Sequence, residues 1–366
     1  MPEKIPSKIK KSLDIHDESL ESSASSKKTV IIMQKIQILS CSSFLPSQII
    51  KSDDLFEEFK SEQQYGIDKK WMSEKMGIKE RRICETDMQP SQLAIPAVEK
   101  AISKAGISKN QIGLVIFCGI EKDYSEPATA HNIQDQIGLN AKYVFDVSNA
   151  CYGFIDSMKI ASNFIFNGDI EYALICTGEI PGKILKAATN FLKDGTDIRT
   201  ARKVLGALSV GDAGGAAIIG RSVDNHSGFQ VFNTFVDSKH TQKCVYKIGN
   251  DGLPSGQMLM GPITKAIVSA HENLIDDTLA RLGWEKFDWM LSHQMGQKPF
   301  DRISALKGVG KNKMVKTFDK LGNITSATFP VNFEKLTKSG KVSKGDRVGG
   351  CFAGSGLAIG QIGYIF

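Results

Sequence analysis

The sequence predicts an α/β protein whose sheets are buried on both faces. Two observations carry this. Short, continuous apolar runs alternate with stretches in which apolar residues recur at helical spacing. In both halves of the chain a predicted helix stops at a glycine, Gly106 or Gly283, and an apolar run follows soon after. That echo fits either two duplicated halves or coincidence within an α/β chain.

Residues 1–28 are rich in Lys, Ser, Asp and Glu and poor in large apolar side chains, which predicts a disordered tail. The folded part is expected from Thr29, where Val30, Ile31, Ile32, Ile36, Ile38 and Leu39 have strand character; Met33 offers an internal alternative start. A helix over 91–105 places Leu93, Ala94, Ala97, Val98, Ala101 and Ile102 on one face. Strands follow at 114–118, 143–147 and 172–177. Another spans 216–219, after a turn at Gly211-Asp212-Ala213-Gly214-Gly215. A helix over 261–282 leads to a strand at 288–292, and the chain closes with strands at 348–352 and 357–365.

Of the 366 residues, 41% are hydrophobic and 23% charged, enough for a core of ordinary size. No apolar run reaches the ~20 residues that span a bilayer. Lys4, Lys8, Lys10 and Lys11 are followed by Asp14, His16, Asp17 and Glu18, not by the apolar stretch of a secretion signal. The 7 cysteines are scattered singly with no CxxC pair, so neither a disulfide framework nor a metal site is expected, and a cytoplasmic location is the simplest. The net charge of +6 suits an acidic carrier protein or a phosphate-bearing cofactor, or else an ordinary solvated surface. No basic arm or aromatic-basic interleaving points to nucleic acid.

Chemistry concentrates at four places. Cys151, in Asp146-Val147-Ser148-Asn149-Ala150-Cys151-Tyr152-Gly153-Phe154, falls between a strand and a helix predicted over 152–166. A helix N-terminus favours thiolate and a nucleophilic sulfur, although a cysteine here also fits a small core residue. His293 ends the apolar strand Trp289-Met290-Leu291-Ser292, where open α/β sheets place reactive groups; a hydrogen-bonded core histidine fits as well. Asn323, in Leu321-Gly322-Asn323-Ile324-Thr325-Ser326-Ala327, either caps a helix or donates its amide to a substrate oxygen. Gly349-Gly350-Cys351-Phe352-Ala353-Gly354-Ser355-Gly356 is a glycine-rich turn, able to present N–H groups to an oxyanion or simply to turn.

The order of these elements resembles the beta-ketoacyl-acyl-carrier-protein synthase III family of the thiolase superfamily, over residues 33–366. Met76-Gly77-Ile78-Lys79-Glu80-Arg81-Arg82-Ile83 is similar to the family's early Gly-Ile-x-x-Arg segment, and Gly211-Asp212-Ala213-Gly214-Gly215-Ala216-Ala217 to its central glycine-rich segment. The resemblance implies a layered αβαβα fold of two thiolase-like halves, 29–221 carrying the nucleophile and 222–366 carrying histidine and asparagine. It implies a Cys151-His293-Asn323 triad. Cys151 takes an acyl group from acyl-CoA, and a malonyl thioester then condenses with it, as in fatty-acid or secondary-metabolite synthesis. Acyl-CoA and acyl-carrier-protein thioesters are the implied substrates, with no permanently bound cofactor. Gly354, Ser355 and Gly356 with the Cys151 N–H are the implied oxyanion site, Trp71 and Lys75 flank the adenine end of the cofactor, and the protein is a homodimer.

Two positions depart from the family pattern. The run His-Gln-Ala-Asn-x-Arg is here His293-Gln294-Met295-Gly296-Gln297-Lys298. Glu126 stands where primer-elongating synthases have an apolar residue, and an acidic residue there resembles the olefin-pathway enzymes that join two acyl-CoAs without decarboxylation. Near apolar chains such a carboxylate would have a raised pKa and serve as the base for an α-proton. The expectations are therefore decarboxylative condensation, non-decarboxylative condensation or acyl transfer assisted by Glu126, or a non-catalytic subunit of a heterodimer.

Overall fold

The computed structural model describes residues 36–366, apart from 86, 225 and 249–253. The expected tail at 1–28, the first residues of the opening strand and Met33 lie outside the described residues. Two sheets organise the rest. The first contains β1 (Ile36–Phe44), β2 (Ile112–Cys118), β3 (Tyr143–Val147), β4 (Tyr172–Glu179) and β5 (Ala213–Arg221), in the spatial order β1-β5-β4-β2-β3. The second contains β6 (Gly228–Val236), β7 (Trp289–Ser292), β8 (Arg347–Gly354) and β9 (Ala358–Ile365), in the order β6-β9-β8-β7.

The two orders are the same pattern twice. β1-β5 and β5-β4 are antiparallel and β4-β2 parallel; β6-β9 and β9-β8 are antiparallel and β8-β7 parallel. Even the outermost position is echoed: β3 runs parallel to β2, and a parallel bridge joins Met290 of β7 to Met314. The sequence echo at Gly106 and Gly283 is thus a duplication. Both glycines end their helices, Pro90–Ala105 and Met260–Leu282, in the left-handed conformation at φ 66° and 65°.

Two glycine-rich segments expected as turns are largely strand. β5 begins at Ala213 and β8 runs through Gly354, leaving only 355–357 as the final turn. The glycines serve packing instead. A side chain on Gly214 would meet the Leu93 carbonyl, and one on Gly215 would meet Pro330, so helices cross this sheet at backbone distance.

Helices Gly153–Asn167 and Thr328–Lys338 lie between the sheets, and Pro90–Ala105 and Met260–Leu282 cover their outer faces, giving the αβαβα layering. The central layer is aromatic. Phe154 stacks on Phe329 at 5.6 Å, and Phe329 meets Phe352 of β8 at 5.6 Å. Each such pair adds about 1 kcal/mol beyond the area it buries. Glu334 anchors the same layer. Its carboxylate accepts from the Ser43 N–H at 2.9 Å and the Ser43 hydroxyl at 2.5 Å, and pairs with Lys104 at 2.6 Å and Lys338 at 2.9 Å. Burial opposes its charge, but Lys104, Ser43 and Lys338 outweigh burial and hold its pKa at about 2, below the usual 4.5. A carboxyl depressed by folding stabilises the protein above its unfolded pKa and stops doing so as pH falls. Glu334→Gln is expected to flatten the acid side of a urea-midpoint-against-pH curve between pH 4.5 and about 2. An unchanged slope there would show that the Lys104–Ser43 cluster contributes nothing to folding.

Candidate active site

Cys151 sits in a single 3-10 turn, Ala150–Tyr152, between the end of β3 and the N-terminus of helix Gly153–Asn167. The motif around it is built for position. Asp146 accepts from the N–H groups of Thr129 and Ala130 at 2.9 Å, capping the neighbouring helix. Ala150 is held at φ 46°, a left-handed conformation that costs a residue with a side chain. A Cβ on Gly153 would lie 3.3 Å from Cys118 Cβ, so glycine lets the helix start tight against β2.

His293 follows β7 directly and is buried; its N–H donates to the Cys351 carbonyl at 2.9 Å. Gln294 beside it pins the next segment: its Nε2 donates to the Val315 carbonyl at 2.7 Å, and its Oε1 accepts from the N–H groups of Thr317 at 2.9 Å and Phe318 at 3.0 Å. Asn323 is tied by backbone to the other half. Its N–H donates to the Ser209 carbonyl at 2.8 Å, and its carbonyl accepts from the Gly211 N–H at 3.1 Å. Its Oδ1 accepts from the Thr325 N–H at 3.1 Å, the local cap expected of it. That bond fixes the amide's orientation and leaves its NH₂ group as a donor.

These three residues come from three separate segments and line one cavity of about 310 Å³, together with Gly354 at the end of β8 and Ser355 and Gly356 of the final turn. That turn presses on the nucleophile's own: a Cβ on Gly354 would come within 2.9 Å of the Asn149 carbonyl and of Tyr152 Cβ. The other expected residues lie elsewhere. Trp71 is half-buried, stacks on Phe56 at 6.2 Å, and lines a separate cavity of about 740 Å³ with Lys265, Lys298 and Arg302. Lys75 is exposed and does not line it. Glu126 is exposed on the loop before helix Thr129–Ile137 and does not line the Cys151 cavity of its own chain.

Comparison with known proteins matches two family models, 3-oxoacyl-[acyl-carrier-protein (ACP)] synthase III over residues 145–239 and the C-terminal model of the same family over 278–363. The chain belongs to this family. It is a condensing enzyme of the synthase III type, an acyltransferase. Its curated relatives include beta-ketoacyl-[acyl-carrier-protein] synthase III of Sodalis glossinidius, 28% identical over 85% of this chain and 93% of that protein. The Rickettsia rickettsii enzyme of the same name is 28% identical over 89% of this chain and 98% of its own. Among solved structures, the chain is similar to OleA of Xanthomonas campestris with cerulenin bound, at TM-score 0.86 and 26% identity, covering 92% of this chain and 98% of that one. A variant of that OleA with lauric acid and lauroyl-CoA bound matches at TM-score 0.85 and 25% identity, covering 92% of this chain and 100% of the other.

Within this synthase III framework the electrostatics correct one expectation. The helix N-terminus does not make Cys151 a resting thiolate. Burial, then the nearby Glu179 and Cys244, push its thiol well above the ordinary 9.0, against which only its own backbone N–H works. His293 moves the other way: burial lowers it to about 4, so it is neutral at pH 7 and able to accept a proton. Its Nδ1 is buried without a hydrogen-bond partner among the described residues.

Glu179 is a residue the sequence reading missed. It ends β4 and is buried; its Oε1 accepts from the Ser326 hydroxyl and N–H, and its Oε2 from the Ile120 N–H at 3.2 Å. Burial raises it to about 6. The signal was the one used for His293, a polar residue closing an apolar strand. Cys244 was read as one of several scattered thiols, yet it lines the Cys151 cavity. The Gly296 departure is a backbone requirement: φ is 137°, and a Cβ would sit 2.9 Å from the Met76 carbonyl. Because its thiol is raised, Cys151 in the free enzyme is expected to react with iodoacetamide about tenfold faster per pH unit from pH 7 to 9. Peptide mapping reads the site; a plateau below pH 8 would contradict the raised thiol.

Proposed function

We propose that this synthase III-type enzyme transfers an acyl group from acyl-CoA to Cys151 and condenses it with a malonyl thioester carried by an acyl carrier protein. The supporting observation is that Cys151, His293 and Asn323 reach one cavity from three segments of two duplicated halves. In the first step the Cys151 sulfur bonds to the thioester carbon as its proton passes to the neutral His293. The oxyanion is held by N–H groups of Cys151 and the 354–356 turn, the bond to the CoA sulfur breaks, and CoA leaves as the thiol with the proton from His293. In the second step His293 and the free amide of Asn323 donate to the malonyl thioester oxygen. The bond to the carboxylate breaks, releasing CO₂, and its electron pair becomes the enolate. The enolate carbon attacks the acyl carbonyl, the bond to the Cys151 sulfur breaks, and a proton from solvent returns the sulfur to the thiol.

The cavity at Trp71 supports a route for the CoA arm, with Trp71 against adenine and Lys298, Lys265 and Arg302 near phosphate. Intact-mass spectrometry with a panel of acyl-CoAs tests the reading. A stable acyl adduct on the wild type, absent from Cys151→Ala and discharged by malonyl-carrier protein, is expected. Product formation surviving undiminished in Cys151→Ala would end it.

A second reading draws on the similarity to OleA and on Glu126. In it, two acyl thioesters condense without loss of CO₂, and the Glu126 carboxylate takes the α-proton of the second. Glu126 lies outside its own chain's cavity, so this reading requires a homodimer in which the residue serves the partner's site. Glu126→Gln is then expected to leave Cys151 acylation intact and to lower condensation of two acyl-CoAs by about a hundredfold or more. An unchanged condensation rate removes Glu126 from the mechanism.

A further inference from the structure

The Cys151 cavity shares a wall with a second cavity of about 480 Å³. Ile184, Val245, Tyr246 and Met258 line both. Val245 and Tyr246 belong to the strand Cys244–Ile248, which pairs antiparallel with Pro254–Met258. Beyond them the second cavity is walled largely by apolar groups, Ala188, Phe191 and Val204 among them. Tyr246 therefore stands between Cys151 and the second, largely apolar cavity.

Thr200, Lys203, Gln242 and Gln257 also line that cavity, but Tyr246 is the residue whose hydroxyl lies where it meets the Cys151 cavity. The oxygen is buried and has no hydrogen-bond partner among the described residues. Buried hydroxyls are normally paired, because leaving one unpaired forfeits its interaction with water. A wholly hydrocarbon chain passing this point would leave it unpaired, and phenylalanine would serve such a chain better. Burial keeps the phenol protonated, with Cys244 and Cys151 acting in the same direction, so the group is available as a donor.

We propose that the second cavity receives the acyl chain borne by Cys151, and that Tyr246 selects chains carrying an oxygen substituent by donating its hydroxyl to that oxygen. The enzyme's preferred donors are then hydroxy- or oxo-acyl thioesters. This rests on the acylation of Cys151 proposed above. Tyr246 touches the chain and not the reacting carbonyl, so it sets specificity.

The test compares rates of Cys151 acylation by intact mass, using decanoyl-CoA and hydroxydecanoyl-CoAs with the hydroxyl at carbon 3, 5 or 7. In the wild type at least one hydroxylated donor is expected to exceed decanoyl-CoA in kcat/KM by about tenfold, the worth of one neutral hydrogen bond. In Tyr246→Phe, with folding checked by circular dichroism, the ratio between those two donors is expected to fall to about one. No preference in the wild type, or the same preference in Tyr246→Phe, overturns the inference while leaving the acylation reading intact. Failure of every donor to acylate the wild type overturns both.

Discussion

The site depends on the contact between the two helices buried between the sheets. Phe154 and Phe329 stack at 5.6 Å, each in the first turn of its helix. One helix begins just after Cys151 and the other just after the Asn323 turn, so the packing of this aromatic pair sets how far apart the two functional turns lie. Phe352 of β8 packs on the same ring, and that strand runs directly into the Gly354–Gly356 turn. A close-packed aromatic layer is stiff against displacement. Cys151, Asn323 and the final turn therefore share one rigid reference. Backbone bonds from Asn323 to Ser209 and Gly211 lock the halves at the surface of that layer.

Burial then decides the protonation states. Burial in the one cavity raises the Cys151 thiol and lowers His293 to about 4. Both groups rest neutral, which is what a low-dielectric site favours. A resting ion pair would have to be desolvated with each substrate. Glu179 fits this scheme as a buried carboxylate whose hydrogen bonds hold the Ser326 segment and the Ile120 loop, and whose charge further disfavours a thiolate.

Much of this was legible in the sequence because it follows from local pattern. Continuous apolar runs gave the buried strands, and glycines gave the ends of helices Pro90–Ala105 and Met260–Leu282. Cys151 at a strand-to-helix junction and His293 at a strand end were visible for the same reason. What was not legible depends on partners distant in sequence. Gly214 and Gly215 read as a turn, yet they are strand, because their purpose is the approach of Leu93 and Pro330. The thiolate expected of Cys151 followed from one helix, whereas the opposing burial comes from segments over the whole chain. Cys244 and Tyr246 carried no local signal; only the fold brings them to the nucleophile.

The departures after His293 are best understood together. Gly296 adopts a φ of 137° that side chains resist, and the space a side chain would need is filled by the Met76 carbonyl. The Gln297 N–H donates to that same carbonyl at 2.8 Å. Met76 and Lys298 in turn line the Trp71 cavity. Glycine here thus lets the Met76 segment close on the start of helix Gln297–Ser304 and shapes one wall of that cavity. Lysine in place of arginine keeps the charge there but gives up a planar, bidentate grip on phosphate. The Trp71 cavity and the Tyr246 wall of the Cys151 cavity are separate features of the structure, and Gly296 and Lys298 shape the first without lining the second.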